Sequence, residues 1–192
     1  MIIQCAADFH GREERYIKFF EGVKKEKPDV IIIPGDLGYL NEDLFDISIP
    51  AFAVHGNMDG LLMLKKIKMV DEKIFLFNGI KFIGLGWNFK DVIEENGRLI
   101  KIYDASFDIV ISHSPPYKIK DKALLGMHIG SKKLRKIIEE KRPKFVLCGH
   151  VHEDYGYEKF NDTIVVNCSI GKKGEYTIIN TDENKIKMVG YD

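Results

Sequence analysis

The sequence has few cysteines and no excess of charge of either sign. Its 192 residues include only three cysteines, and 29 Lys plus Arg residues equal 29 Asp plus Glu residues. Cys5, Cys148 and Cys168 lack C-x-x-C spacing and lie in apolar runs, so we expect reduced thiols buried in the core of an intracellular protein. A net charge of zero argues against a general nucleic-acid or membrane-surface role, since both normally need a basic excess.

Long hydrophobic runs are also missing. No apolar stretch approaches the roughly 18 residues that a membrane helix needs, and Met1 to Ala7 has no basic segment before it. We therefore expect a cytoplasmic protein without a membrane anchor. The composition is even along the chain, with no Ser/Pro linker and no repeat of fixed period, which predicts one domain over residues 1–192. A homo-oligomer is compatible with this pattern but is not indicated by it.

Short apolar runs bounded by Gly, Pro and Asp predict buried strands. These runs are Ile2 to Ala7, Val30 to Ile33, Ala51 to Val54, Phe107 to Ile111 and Phe145 to Cys148. Asn78-Gly79 predicts a hairpin between strands at Ile74 to Phe77 and Lys81 to Leu85.

Helical spacing of apolar residues predicts helices at Glu13 to Lys25 and Leu61 to Lys68. Ser131 can cap a further helix whose Leu134, Ile137 and Ile138 face inward and which ends before Pro143.

The last part of the chain is predicted to contain strands without helices. Its short strands are Tyr155 to Phe160, Ile164 to Val166, Tyr176 to Asn180 and Lys185 to Val189. Strands mixed with helices early, followed by strands alone, indicate an α/β (α+β) fold with two sheets and helices outside them.

Five of the buried strands end in polar residues. Their ends carry Asp8-Phe9-His10, Gly35-Asp36, Gly56-Asn57-Met58-Asp59, Ser112-His113 and Gly149-His150-Val151-His152. Ligands of α/β sheets bind at the carboxyl ends of strands. Chance would give Gly-His-x-His about 0.02 times and Gly-Asn-x-Asp about 0.06 times in a chain of this composition.

A single His or Asp at such a position is usually structural, as we expect for His55. Four histidines and two carboxylates brought together need a cation. We therefore expect a site formed by Asp8, His10, Asp36, Asn57, His113, His150 and His152.

Imidazole, carboxylate and amide donors without thiolates favour a borderline divalent ion such as Mn, Fe, Co, Ni or Zn. Seven donors are too many for one ion, so the set predicts two ions that share a carboxylate and a water. Such a pair, about 3.5 to 4 Å apart, would convert the bridging water to hydroxide and stabilise in-line displacement at phosphorus. The expected reaction is hydrolysis without a covalent intermediate.

The same motifs, in the same order along the whole chain, closely resemble the signature of calcineurin-like metallophosphoesterases. The resemblance implies a four-layer sandwich of two mixed β-sheets flanked by helices, and the short length is similar to the compact prokaryotic phosphodiesterase branch. It also implies a ligand set. One metal would be bound by Asp8, His10 and His152, the other by Asn57, His113 and His150, with Asp36 as the bridge and Asp59 orienting a neighbouring group.

Met58 departs from the family pattern, in which a His after the Asn protonates or stabilises the leaving oxygen. A thioether cannot donate a proton. His128, in the long loop that follows His113, is the candidate substitute, against the alternative of a surface or helix-start role. Asp36, Asn57 and His128 are thus the candidate catalytic residues.

We therefore predict a phosphodiesterase with two divalent metal ions, Mn being favoured, that acts on a small phosphodiester or nucleotide. Its expected partner is a small phosphate-ester substrate; no membrane is expected, and the zero net charge argues against nucleic acid. Two alternatives remain open: an interaction scaffold of the same fold with weak catalysis, and a phosphomonoesterase or nuclease.

Overall fold

The computed structural model describes residues 1–171 and 173–191. Within these ranges the regular elements are, in chain order, β1 Ile2–Cys5, α1 Glu13–Glu26, β2 Val30–Pro34, β3 Ala51–Val54, β4 Ile67–Met69, β5 Lys73–Phe77, β6 Ile80–Gly86, β7 Val92–Glu95, β8 Arg98–Lys101, β9 Ile109–Ser112, α2 Lys132–Lys141, β10 Phe145–Cys148, β11 Gly156–Phe160, β12 Thr163–Asn167, β13 Tyr176–Asn180 and β14 Lys185–Val189. Short 3-10 turns lie between some of them. Among these described residues, no helix is long and apolar enough to cross a membrane.

The strands form two mixed sheets. A six-stranded sheet has the order β14-β13-β1-β2-β3-β4, and an eight-stranded sheet has the order β11-β12-β10-β9-β6-β5-β7-β8. In the first, β1 to β4 are parallel; in the second, β12, β10, β9 and β6 are parallel. The remaining pairs are antiparallel except for β5 with β7.

Three apolar clusters separate four layers. Between the sheets, Ile3 and Ile32 pack with Ile111 and Leu147. Outside the six-stranded sheet, aromatic residues of α1 cover Ile31, Ile33, Ala51 and Ala53. Outside the eight-stranded sheet, Leu134, Ile137 and Ile138 of α2 cover Ile83, Val110 and Val146. Each sheet thus buries both faces, and the expected sandwich of two mixed sheets flanked by helices is confirmed.

The predicted features of α2 and of the cysteines are confirmed. The Ser131 hydroxyl accepts a hydrogen bond from the Leu134 N–H at 3.1 Å, and Arg142 ends the helix in a left-handed conformation just before Pro143. All three cysteines are free and buried.

The predicted helix at Leu61 to Lys68 is wrong. Residues 61–66 are irregular and β4 begins at Ile67. The buried Glu42 carboxylate accepts the backbone N–H groups of Lys65, Lys66 and Ile67 at 2.5, 2.9 and 2.9 Å. Those donors are therefore unavailable for helical hydrogen bonds.

Candidate metal centre

All seven predicted ligands follow the carboxyl ends of strands. Asp8, His10, Asp36 and Asn57 follow β1, β2 and β3 of one sheet, and His113, His150 and His152 follow β9 and β10 of the other. These strands are parallel within each sheet. Backbone pairing of Ala7 with Ser169, and the hydrogen bond of His113 Nδ1 to the Pro34 carbonyl at 2.8 Å, join the two sheets at this edge. The expected convergence of the strand ends is present.

The predicted ligands form two groups, and within each group the potential ligand atoms all lie within 4.8 Å of one another. One contains Asp8, His10 and His152, and the other contains Asp8, Asp36 and His113. In the first group, His152 Nε2 lies 3.4 Å from His10 Nε2 and 3.5 Å from Asp8 Oδ1. The side chain of Asp8 is fully buried.

Asp36, a member of the second group, also approaches His10 of the first. Its Oδ2 atom is 3.7 Å from His10 Nδ1 and 3.6 Å from His113 Nε2. His113 Nε2 is also 3.0 Å from Asn57 Oδ1. The Asp36 carboxylate is therefore placed where one oxygen can reach ligands of both groups.

His150 approaches the cluster in two ways. Its backbone N–H donates to the Asp8 carboxylate at 3.0 and 3.3 Å, and its ring lies 5.0 Å from the ring of His113. Within the described residues, the two groups of mutually close ligand atoms do not include His150. Its role as a ligand stays a prediction.

Four predicted ligands have a left-handed backbone. The φ angles of Asp8, His10, Asp36 and His150 are 70°, 52°, 53° and 70°. Each such conformation costs a non-glycine residue about 1–3 kcal/mol and is found mainly at functional sites. The left-handed backbone at these strand ends therefore directs the four side chains to the centre and lowers the stability of the fold.

Two glycines allow the loops to approach closely. A Cβ atom on Gly56 would lie 2.0 Å from Asp36 Oδ1, and one on Gly35, whose φ is 87°, would lie 2.6 Å from His113 Nδ1. Any side chain at these positions would displace a predicted ligand. The absence of a side chain at Gly35 and Gly56 thus allows their backbones to lie directly against His113 and Asp36.

The two carboxylates differ electrostatically. Burial raises the pKa of Asp8, but the hydrogen bond from His152 and the charges of His113 and His152 outweigh it, so the pKa of Asp8 is lowered. The pKa of Asp36 is raised, because burial outweighs the charge of His113 and the hydrogen bond from the Met58 N–H.

The histidines also differ. Burial, reinforced by the charge of His113, lowers the pKa of His150 to about 4. Burial lowers the pKa of His10 as well, whereas the hydrogen bond to Asp8 raises the pKa of His152. Neutral imidazoles at positions 10 and 150 keep a free lone pair at neutral pH, as metal ligation requires.

The arrangement around His113 fits a divalent cation. The Pro34 carbonyl can only accept, so His113 Nδ1 carries a proton, and Nε2 is an acceptor whenever it is not itself protonated. Nε2 then faces two further acceptors, Asn57 Oδ1 and Asp36 Oδ2. Converging acceptors repel one another unless a cation or an added proton lies between them. The donor set of imidazole, amide and carboxylate is suited to borderline divalent metals.

Residues 58 and 59 hold the loops around Asp36. The Met58 N–H donates to Asp36 Oδ1 at 2.9 Å, while the Met58 side chain is 69% exposed. The Asp59 carboxylate accepts the N–H groups of Gly38 and Gly56, both at 2.8 Å. These contacts agree with the expectation that Asp59 orients its neighbours.

His128 lies in a loop with its own hydrogen-bond network. His128 Nδ1 is 2.5 Å from Oδ1 of the buried Asp121, which also accepts the N–H groups of Lys118 and Gly130. Among the described residues, His128 contacts Asp121, Tyr117 and Lys122, none of which is a predicted metal ligand, so its catalytic role stays a prediction. His55, for which we expect a structural role, pairs with Asp71, and its Nδ1 lies 2.7 Å from the Asp71 carboxylate.

Two neighbours of the centre are missing from the sequence-based prediction. The ring of Trp87, which follows β6, lies 4.5 Å from the ring of His150 and 5.7 Å from that of His113. The Arg15 guanidinium donates to the carbonyls of Asp8 and Gly171. Trp87 could have been predicted as a neighbour of the centre from the sequence, because it directly follows β6, which ends at the same edge. No local sequence pattern marks Arg15.

Comparison with known proteins gives a consistent result. The model of the calcineurin-like phosphoesterase family matches residues 1–154. An uncharacterised protein of Methanocaldococcus jannaschii is 27% identical, and the alignment covers 98% of this chain and 95% of the relative.

Solved structures share the fold at low sequence identity. A crystal structure of a protein from Thermus thermophilus is 16% identical with a TM-score of 0.66, covering 98% of both chains. A structure described as that of a novel archaeal phosphodiesterase is also 16% identical, with a TM-score of 0.61, and covers 98% of this chain and 99% of its own.

Proposed function

The chain belongs to the calcineurin-like phosphoesterase family, and from this premise we propose that it is a phosphodiesterase that hydrolyses a small phosphodiester with two divalent metal ions. The observation that carries the proposal is the position of Asp36. One of its carboxylate oxygens lies within 4 Å of histidines from both ligand groups, as His10 and His113 are 3.7 and 3.6 Å away. Two metal ions held side by side need a carboxylate that both can share, whereas a single ion does not.

In this proposal the residues divide as the family resemblance implies. Asp8, His10 and His152 would hold one ion, Asn57, His113 and His150 would hold the other, and Asp36 would contribute to both. The pair of ions would supply activation of a water and stabilisation of the charge that develops in an in-line displacement at phosphorus. Mn is the favoured metal from the donor set, and the cytoplasm remains the predicted location.

The protein's own contribution is to hold these ligands before substrate arrives. His113 is fixed by its hydrogen bond to the Pro34 carbonyl, and Asp36 is fixed by the Met58 N–H. Such supporting contacts set the orientation of a ligand and tune its basicity. Because both contacts come from backbone groups, they persist through substitution of the Met58 side chain.

Protonation of the leaving oxygen requires a group other than Met58, whose thioether has no proton to give. His128 is the candidate. Its Nδ1 is held by the buried Asp121 carboxylate, and the side chain remains 29% exposed. A carboxylate that orients an imidazole in this way leaves Nε2 available for proton transfer.

A cleft beside one predicted ligand, His152, supports a small substrate. A cleft of about 570 Å³ is lined by His152 together with Leu124, Tyr155 and Ile170. Clefts of this size are typical of small-molecule sites. The zero net charge of the chain gives no general attraction for a polyanion such as nucleic acid.

The proposal is tested with metal-free protein and bis(p-nitrophenyl) phosphate. We expect no hydrolysis with EDTA present, hydrolysis after addition of Mn²⁺, and loss of activity in Asp36→Asn. A protein that binds Mn²⁺ at the predicted ligands but hydrolyses neither this diester nor other phosphate esters would support the scaffold alternative and contradict the proposal.

A further inference from the structure

We propose that Arg15 is a positioning residue that holds Asp8 and His152 in place for metal binding. Its guanidinium donates to the Asp8 carbonyl through Nη1, and to the Gly171 carbonyl at 2.5 Å through Nη2. One side chain thereby connects α1, the end of β1 and the segment after β12. The inference rests on the proposed metal centre but concerns binding of the ions, not hydrolysis.

The contact with Asp8 acts on a strained residue. Asp8 has a φ of 70°, which turns its carbonyl away from the direction that it would take in a continuing strand. A buried carbonyl without a donor costs about 1–3 kcal/mol. Arg15 supplies a charged donor to this carbonyl, and so stabilises the conformation that directs the Asp8 carboxylate towards His10 and His152.

The contact with Gly171 acts on the other strand end. The segment before Gly171 runs beside β1, because the Ala7 N–H donates to the Cys168 carbonyl and the Ile170 N–H donates to the Ala7 carbonyl. Gly171 then lies against the backbone of His152, since a Cβ atom on Gly171 would lie 3.3 Å from the His152 carbonyl oxygen. Arg15 therefore connects Gly171, which lies next to His152, to the carbonyl of Asp8 through two hydrogen bonds.

The position and type of the residue both favour this role. Arg15 lies in the first turn of α1, where a positive charge is unfavourable with respect to the helix dipole. The planar fork of a guanidinium can donate to two separate carbonyls at once, whereas a lysine ammonium is a single point donor on a flexible stem. Arg15 thus occupies a place that helix stability alone would give to an acidic residue, such as the preceding Glu13 and Glu14.

The test measures Mn²⁺ affinity by calorimetry in the full chain. In Arg15→Met, which keeps an unbranched stem, we expect affinity for at least one ion to fall by about 10- to 100-fold, the effect typical of residues that orient metal ligands. Arg12→Met is the matched control: Arg12 is exposed, precedes α1 and makes no side-chain capping hydrogen bond. It should bind as the wild type does.

Two further variants separate positioning from general stability. Arg15→Ala should regain Mn²⁺ affinity when methylguanidinium is added at millimolar concentration, whereas a merely structural loss would not be restored. Arg15→Lys should bind with intermediate affinity, because it can reach one carbonyl at a time. If Arg15→Met fails to fold, Arg15→Lys decides the question.

Wild-type affinity in Arg15→Met or in Arg15→Lys would overturn the inference while leaving the proposed function intact. Absence of Mn²⁺ binding in the wild type would overturn both. A lowered melting temperature of metal-free Arg15→Met with unchanged Mn²⁺ affinity would assign Arg15 to fold stability and also overturn the inference.

Discussion

The imidazole Nε2 of His113 lies 3.0 Å from the amide oxygen of Asn57, although the two residues follow strands of different sheets. Asn57 follows β3 and His113 follows β9, so this part of the candidate centre exists only when the two sheets are packed together. An ion that binds here would therefore stabilise the folded chain, because the unfolded chain does not bring these donors together.

The position of Asp36 leads to the first prediction. Saturated wild-type protein should bind two Mn²⁺ ions, and Asp36→Asn should lose at least one of them and more than about 10²-fold of its activity, since an amide is a weaker metal ligand and Asp36 reaches both groups. Metal analysis after gel filtration measures the stoichiometry. Asp162→Asn, the same change on an exposed turn, should leave both values unchanged. One ion or none in active wild-type protein would contradict the two-metal proposal.

The strand ends could be predicted because each short apolar run stops abruptly at a Gly, a Pro or a polar residue. The structural bounds of β2, β3 and β10 differ from the predicted ones by at most one residue. Their parallel pairing follows from the intervening helices and loops, and parallel strands deliver their carboxyl ends to one edge.

Other features depend on contacts that a local pattern does not contain. The apolar residues at Leu61 to Leu64 suggested a helix, but the carboxylate of Glu42, more than 20 residues away, takes the backbone donors that the helix would need. Asn96-Gly97 joins β7 to β8 and repeats the hairpin signal of Asn78-Gly79. The flanking strands are short and carry the polar residues Glu94 and Glu95, so no apolar alternation supports this hairpin signal.

Trp87 provides the second prediction. It is the single tryptophan of the chain, and its ring lies 4.5 Å from that of His150. Binding of paramagnetic Mn²⁺ at the centre should therefore quench its fluorescence, and EDTA should reverse the change. A fluorescence titration measures the effect, with Trp87→Phe to show the background. Unchanged emission at a Mn²⁺ concentration shown by metal analysis to saturate the protein would mean that the ions bind elsewhere.

The charge of the site gives the third prediction. Two divalent ions bring about +4, Asp8 and Asp36 remove about two charges, and an ionised attacking water removes about one more, which leaves about +1. A diester monoanion balances this charge, whereas a monoester dianion exceeds it. Two cations of this part of the chain are already engaged: Arg15 with two carbonyls, and Lys120 with Asp154 at 2.6 Å.

We therefore expect kcat/KM for bis(p-nitrophenyl) phosphate to exceed that for p-nitrophenyl phosphate by at least about 10-fold, or about 1.4 kcal/mol. The comparison uses the same Mn²⁺-loaded preparation and pH. A preference for the monoester would show that a further cation approaches the substrate and that the charge argument is wrong.

The last prediction concerns the proton given to the leaving oxygen. General acid catalysis typically contributes about 10²–10⁴ in rate, and the benefit grows with the basicity of the leaving group. The side chain of Met58 is exposed while its backbone N–H holds Asp36, so Met58→His changes the side chain without removing that contact.

If position 58 is the vacant acid site, Met58→His should raise turnover of alkyl or nucleoside diesters more than turnover of nitrophenyl diesters, because a nitrophenolate leaves without protonation. If His128 already serves as the acid, His128→Ala should slow the esters with poor leaving groups selectively, and Met58→His should add little. The two single variants and the double variant, each assayed on a good and a poor leaving group with Mn²⁺ affinity as the control, distinguish these cases. Equal effects of every variant on both substrates would exclude both positions from leaving-group protonation.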